Sequence, residues 1–405
     1  ACALAARFFP TTVSLPQHVA RPLVARVDVA AMRANLALLR RESLPRLCWA
    51  VVKADAYGHG LSAALEAFEK ADGLALIEPG QALSLRELGW RKPILLMEGF
   101  FDEADLQACS EAGIDVVVHA PWQLELVRLT ESAIQLKPRG IRLWVKFNSG
   151  MNRLGFRIKE GLHELQRLRS DGYPLGAIAH FANADAEPGD PESEQRLLDL
   201  HRAVKAIDSR IVCSFANSAA SQRLLQSADP ALNSLRPDLA PELGADWLRF
   251  GVALYGASAF ADRQAAEFGL KVAMRLQSRV LAVQRLRAGE RVGYGGRFVA
   301  ADDCSIAVVA CGYADGYPRQ APDGTPVWIG GQLCPLAGRV SMDMLTVDVS
   351  RHPHIQAGDP VELWGQHVPV DGLAKACGTI GYQLLSGLTA RVPRVIDAGQ
   401  GKAAL

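Results

Sequence analysis

Three features are scarce in this sequence, and each scarcity closes off a class of function. The first is charge of one sign. Lysine and arginine number 44 against 43 aspartates and glutamates, for a formal net charge of +1, and a chain without a basic excess or stripe offers nucleic acid no electrostatic footprint. The second is long apolar runs: none approaches the about 18 residues that span a bilayer, so no membrane partner is expected. The third is cysteine at metal or disulfide spacing. Cys2, Cys48, Cys109, Cys213, Cys304, Cys311, Cys334 and Cys377 are scattered, several in apolar runs. They read as small buried hydrophobes in a reducing, cytoplasmic compartment, with no metal site.

What is present describes a globular enzyme. The 405 residues, 49% of them hydrophobic, exceed one ordinary core and fall short of three, which sets two domains. Short β-branched runs at residues 46–52, 73–77, 93–97, 115–118, 141–147, 175–180, 210–215 and 247–250 alternate with helical-period stretches such as 61–70, 80–88, 103–112 and 123–132. Eight such units fit a closed (β/α)8 TIM-type barrel better than an open doubly wound sheet. After about residue 271 the texture changes to short alternating segments (278–285, 305–310, 325–329, 345–349, 360–364) divided by Gly, Pro and Asp turns, the pattern of a separate, mostly β domain. The expected organisation is a barrel over 23–268 and a β domain over 269–405. Residues 1–22, with no acidic side chain before residue 22, are expected to be a disordered or loosely docked extension.

Barrel enzymes assemble their sites at the C-terminal ends of the strands. The first strand candidate delivers Lys53 behind Leu47-Cys48-Trp49-Ala50-Val51-Val52. Such surroundings disfavour an ammonium and expose a nucleophilic amine, the requirement for Schiff-base chemistry; equally, a lysine there can lay its stem on apolar surface and keep its head in water. Tyr57-Gly58-His59-Gly60 follows with a phenol and a pliant backbone. Later strands end in Lys146 and Arg153, in His180, in Asn217-Ser218 and in Arg249-Phe250-Gly251-Val252. The last two loops of a barrel are its usual phosphate grip, a role that suits Ser218, Gly251 and Val252. Each has a plainer alternative: a helix cap for Ser218, a turn for Gly251, a surface cation for Arg249, a hydrogen-bonded core residue for His180. Taken together with Lys53 they point to a pyridoxal phosphate site.

The motifs Val52-Lys53-Ala54-Asp55-Ala56-Tyr57-Gly58-His59-Gly60, Gly150-Met151-Asn152-Arg153-Leu154-Gly155, Ala216-Asn217-Ser218-Ala219, Val292-Gly293-Tyr294-Gly295, Gly312-Tyr313-Ala314-Asp315-Gly316-Tyr317, Ser341-Met342-Asp343 and Gly378-Thr379-Ile380-Gly381-Tyr382 occur in the order in which the alanine racemase family carries them. The chain resembles that fold-type III pyridoxal phosphate family from about residue 23 to 396. The resemblance implies an isomerase that interconverts L- and D-alanine with two bases, one on each face of the α-carbon. Lys53 would hold the cofactor and serve one face, and Tyr294 the other, its phenolate supported by His180 and Arg249. A phenol of ordinary pKa near 10 needs such support. Arg249 would face the pyridine nitrogen, and its permanent charge would moderate the electron sink. Tyr57, Ser218, Gly251, Val252 and Tyr382 carry over as phosphate contacts with Asn217 beside them, Arg153 as the contact to cofactor oxygen and substrate carboxylate, and Lys146 as a carbamylated lysine orienting that arginine. Met342 and Asp343 match the substrate turn, and Tyr313 the gate. The family places Tyr294, Tyr313, Met342 and Asp343 in the partner subunit's site, which implies a head-to-tail homodimer.

Two stretches depart from the commonest pattern. Asn148-Ser149 stands where Asp-Thr is frequent, removing a carboxylate beside Lys146 and Arg153. Gly296-Arg297-Phe298 is less usual after the tyrosine motif and would place a cation at the entrance. The neighbouring readings are a broader-specificity racemase acting on serine or larger amino acids, a cofactor carrier, which would leave Tyr294 without a role, and a fold-type III decarboxylase, which would carry a glutamate where Arg249 stands.

Overall fold

The computed structural model describes residues 21–134, 136–137, 140–185, 191–223 and 246–397. The expected extension therefore lies outside the described residues except for Arg21 and Pro22. Strand β1 (Val24–Asp28) leads directly into the helix Val29–Ser43, which begins where the Asp28 carboxylate accepts the Ala31 N–H at 2.8 Å, a side-chain N-cap. Eight strands follow: β2 (Leu47–Val51), β3 (Gly73–Leu76), β4 (Ile94–Leu96), β5 (Asp115–Val118), β6 (Leu143–Lys146), β7 (Leu175–Ile178), β8 (Val212–Ser214) and β9 (Trp247–Phe250). All pair in parallel with their sequence neighbours from β2 to β8, and β9 returns to pair with β2. The result is a nearly closed barrel, built from the eight segments expected.

These strands are buried at nearly every position, as parallel strands must be when side chains fill one face and helices cover the other. The lumen is plugged by tryptophan. Trp49 of β2 stacks on Trp247 at 4.0 Å and meets Trp144, from the opposite strand β6, edge-on at 6.1 Å. Glycine makes the room, since a Cβ at Gly73 would lie 2.2 Å from Trp49 and one at Gly176 2.4 Å from Trp144. With the lumen filled by these rings, open space is left at the C-terminal mouth.

The long strand β10 (Met274–Leu286) organises the second sheet, pairing antiparallel with Cys304–Val309, with Pro360–Trp364 and with β1. β1 falls within the stretch assigned to the barrel but is part of this sheet, and its other edge pairs in parallel with Arg394–Asp397. Its burial alternates, the signature of a strand with one wet face, whereas the barrel strands read as continuous apolar runs. Arg26 of β1 and Arg275 of β10 both pair with Asp397, so the strand Arg394–Asp397 is tied to both. Two short helices, Val370–Ala376 and Gly381–Ser386, had no evident period in the sequence. They carry Tyr382 to the barrel mouth. No helix among the described residues is long and apolar enough to cross a membrane, and all seven described cysteines are unpaired.

Candidate active site

Lys53 emerges from β2 onto a turn of unusual hand. Ala54, Asp55, Ala56 and Tyr57 all have φ between 50° and 54°, and each non-glycine residue in that region costs roughly 1–2 kcal/mol. Tertiary contacts must hold the turn in place. Asp55 accepts the Leu61 N–H at 2.9 Å through its carboxylate, and Arg394 donates to the Gly58 carbonyl at 3.2 Å. His59, fully buried, donates from Nδ1 to the carbonyls of Ala56 and Tyr57 at 3.1 and 2.9 Å. Burial lowers its pKa to about 4, which keeps it neutral. Tyr255 packs on both His59 and Tyr57 and donates to the Val51 carbonyl at 2.9 Å. Gly58 is obligatory, because a Cβ there would lie 2.2 Å from the Leu385 carbonyl oxygen.

A cavity of about 370 Å³ opens at this mouth, lined among others by Lys53, Tyr57, Arg153, His180, Asn217, Ser218, Arg249 and Tyr382. At one end four polar groups converge. Gly251 N–H donates to Ser218 Oγ at 2.9 Å, and a Cβ on residue 251 would lie 2.4 Å from the Tyr57 hydroxyl. The Tyr382 hydroxyl faces the Ser218 side chain. Burial raises the pKa of Tyr57 far above the ordinary phenol value and that of Tyr382 to about 12, so both stay protonated as donors. Val252 is fully buried behind Gly251 and starts the 3₁₀ turn Val252–Tyr255. Asn217 lines the cavity, but its amide is engaged: Oδ1 accepts from Ala220 N–H and Nδ2 donates to the Phe181 carbonyl. It caps the helix Ser218–Arg223.

The other end is crowded with cations. Arg249, buried, donates from Nη1 to the Ser214 carbonyl and hydroxyl at 2.5 and 2.9 Å and from Nη2 to the carbonyls of Ala179 and Phe215 at 2.6 and 3.2 Å, which locks its orientation. Burial brings it down to about 9. Lys146 falls to about 8 through burial and then the charges of Arg249 and Arg153. The Lys53 amine is lowered first by burial and then by Arg153 and Arg249, opposed by Glu98 and Glu78. Burial and four surrounding cations push His180 down to about 2, leaving a neutral imidazole. This potential calls for anions such as a phosphate or a carboxylate. Glu78 and Glu98, whose carboxylates oppose the shift of Lys53, had drawn no notice in the sequence.

The structure does not bring every expected residue to this cavity. Tyr294, Tyr313 and Met342 are 73%, 39% and 52% exposed on the β domain, and neither they nor Asp343 line it; Gly251 and Val252 are also outside its lining, and Lys146 lines a small separate pocket with Arg153 and His180. The gate and substrate turns interlock through Tyr313 N–H to the Ser341 carbonyl and Ala314 N–H to the Met342 carbonyl, each at 3.0 Å. Asp343 pairs with Arg391 at 2.6 Å, and the fully buried Asp315 pairs with Arg21 at 2.6 Å and Arg391 at 3.3 Å. Asp315 stood inside a recognised motif, yet its partners 294 and 76 residues away could not be read from the sequence.

A family model described as the N-terminal domain of alanine racemase matches residues 27–259, and one for its C-terminal domain matches residues 273–396. The chain belongs to the alanine racemase family. An alanine racemase of Janthinobacterium sp. (strain Marseille) is 43% identical over 374 residues, 92% of this chain and 98% of that one. The solved biosynthetic alanine racemase of Pseudomonas aeruginosa aligns with a TM-score of 0.84 at 42% identity, covering 93% of this chain and 99% of its own. That of Bartonella henselae, solved with covalently bound pyridoxal phosphate, aligns with a TM-score of 0.77 at 26% identity, covering 93% and 99%. Against the alanine racemase pattern both departures resolve structurally. Asn148 Oδ1 accepts from the N–H groups of Gly150 and Asn152 at 3.1 and 3.0 Å, so the turn before Arg153 is kept without a carboxylate. Arg297, expected to put a cation at the entrance, instead turns its guanidinium onto the body of the β domain.

Proposed function

We propose that this protein interconverts L- and D-alanine with pyridoxal 5'-phosphate held in the barrel-mouth cavity, as a head-to-tail homodimer with shared sites. The observation that carries the reading is that a strand-end lysine of lowered pKa shares one cavity with Ser218 and Tyr57, against which Gly251 packs closely. The cradle fits a phosphate: two hydroxyls and a backbone N–H surround a point that a single Cβ would fill, and hydroxyl and backbone donors of this kind are the usual partners of phosphate oxygens. When bound, the cofactor supplies an electron-withdrawing ring that accepts the electron pair left on the substrate's α-carbon.

The chain's own groups do the rest. Lowering the Lys53 amine makes a neutral Nζ more available, both as nucleophile toward the cofactor's aldehyde and as acceptor of the α-proton on one face. Arg153 offers its guanidinium to the substrate carboxylate. Arg249, tied to four backbone and hydroxyl acceptors, presents a fixed positive charge to the ring. Lys146, brought to about 8, has enough neutral amine near pH 7 to add carbon dioxide and lose a proton, giving a carbamate anion among the cations. The second base is Tyr294. Its exposure, shared with Tyr313 and Met342, is what a face presented to the partner subunit requires, with Met342 and Asp343 meeting the substrate there. The unpaired cysteines support work in the reducing cytoplasm.

The test is to incubate the protein with pyridoxal phosphate and L-alanine in deuterated water and to quantify α-deuterated D-alanine by chiral separation with mass detection. Its formation at enzymatic rate is the expected result; its absence with cofactor bound would sink the reading. L-serine run in parallel separates a narrow racemase from a broad one.

A further inference from the structure

The hairpin that carries Tyr294 has little stiffness of its own. Its strands are two residues each, Arg291–Val292 against Phe298–Val299, and its turn passes through Gly293, Gly295 and Gly296 at φ 68°, 72° and 52°. So short a hairpin is not stable alone, and glycine at three of four consecutive positions leaves the backbone free to reorient. Tyr294 supplies no anchor, since its side chain makes no hydrogen bond or ring contact among the described residues. Val292 packs with Ile306 and Ala337, but an apolar contact sets no direction.

Direction comes from Arg297. Its Nη2 donates to the Ala321 carbonyl at 3.0 Å, to the Gly338 carbonyl at 2.7 Å and to Asp323 Oδ1 at 3.0 Å. Asp323 Oδ1 also accepts the Gly338 N–H at 2.6 Å, which closes a ring of contacts. Through this one nitrogen, whose two hydrogens are shared among the three acceptors, Arg297 joins the hairpin to two loops that are separate in sequence.

We infer that Arg297, with Asp323, is a positioning residue for the base Tyr294. The inference rests on Tyr294 serving one face of the α-carbon, as proposed above. Arg297 does not line the barrel-mouth cavity; it sets where the phenol hydroxyl stands relative to the α-carbon. The pair is 30% and 36% exposed, and solvent-accessible ion pairs add little to global stability. Its removal therefore leaves the fold standing and frees the turn, and a misplacement of about 1 Å costs on the order of 100-fold in rate.

The experiment reads α-hydrogen exchange into deuterated water from L-alanine and from D-alanine separately, in holoenzyme. Tyr294→Phe first identifies the enantiomer whose exchange depends on the phenol. Arg297→Ala should slow exchange from that same enantiomer by roughly 10–100-fold, with exchange from the other, served by Lys53, near the wild-type rate and the cofactor absorbance unchanged. Asp323→Asn should give a smaller loss on the same side, and the double variant should be no worse than Arg297→Ala, because the two residues act as one unit. If Arg297→Ala does not fold, Arg297→Met, which keeps the apolar stem and removes every donor, must show the one-sided loss. Equal slowing from both enantiomers, or none from either, overturns the inference. Wild-type enzyme that exchanges neither enantiomer defeats the racemase reading itself, an outcome visible before any variant is made.

Discussion

Gly251 and Ser218 meet so closely that no side chain fits between them. The Gly251 N–H donates to Ser218 Oγ at 2.9 Å, and a Cβ on residue 251 would stand 2.9 Å from that oxygen and 2.4 Å from the Tyr57 hydroxyl. Gly251→Ala should therefore fill the cradle and weaken pyridoxal phosphate binding by about 10–100-fold, the equivalent of one or two hydrogen bonds to a charged group. Titration of the apoenzyme followed by cofactor absorbance measures it, and an unchanged dissociation constant would place the phosphate elsewhere.

The left-handed turn after Lys53 gives a prediction about stability. Ala54 is exposed at φ 54°, so Ala54→Val should lower Tm through a further penalty of about 1 kcal/mol or more, while Ala54→Gly should hold or raise it. Thermal scans of the holoenzyme decide. Equal Tm for the two variants would mean that the backbone leaves this region when Ala54 is replaced.

Lys146 carries a pH dependence whose sign follows from its lowered pKa. The unfolded chain binds this proton up to the ordinary value of 10.5 and the folded chain only to about 8. Stability therefore rises with pH between these values, and below pH 8 the buried cation costs on the order of 3 kcal/mol. In carbon dioxide-free buffer Lys146→Met should be more stable than wild type at pH 7, with the gap closing by pH 10. Added bicarbonate at pH 7–8 should raise the wild-type Tm and leave the variant unmoved. A wild-type Tm indifferent to bicarbonate would argue against the carbamate.

Shared sites make a prediction by complementation. Lys53→Ala and Tyr294→Phe should each lose racemisation by roughly 10³-fold or more. Mixing the two after dissociation should restore up to about one quarter of the wild-type activity, because half the dimers are then mixed and each holds one intact site. Continued inactivity of mixtures shown to contain mixed dimers would mean that each chain uses its own tyrosine.

Much of this molecule was legible from residues alone, for a physical reason. Parallel strands buried on both faces must be continuous apolar runs, so the eight barrel strands announced themselves. The polar residues that interrupt the runs at their C-terminal ends, Lys53, His180 and Arg249 among them, had to converge at one mouth. The fully buried Asp315 and the positive-φ glycines around Tyr294 also stood in recognisable motifs. What the tertiary structure decided depends on partners far away in the chain. β1 joined the second sheet because its edges meet β10 and Arg394–Asp397, some 250 and 370 residues on. Ala54-Asp55-Ala56-Tyr57 took the left-handed form, against the preference of every residue in it, because His59 and Tyr255 are buried beneath it and Leu385 lies against Gly58. Arg297 turned inward because the carbonyls of Ala321 and Gly338 and the carboxylate of Asp323 waited there. Local pattern specifies an element where the chain's own preference and its burial agree; where they conflict, only the assembled fold supplies the contacts that choose.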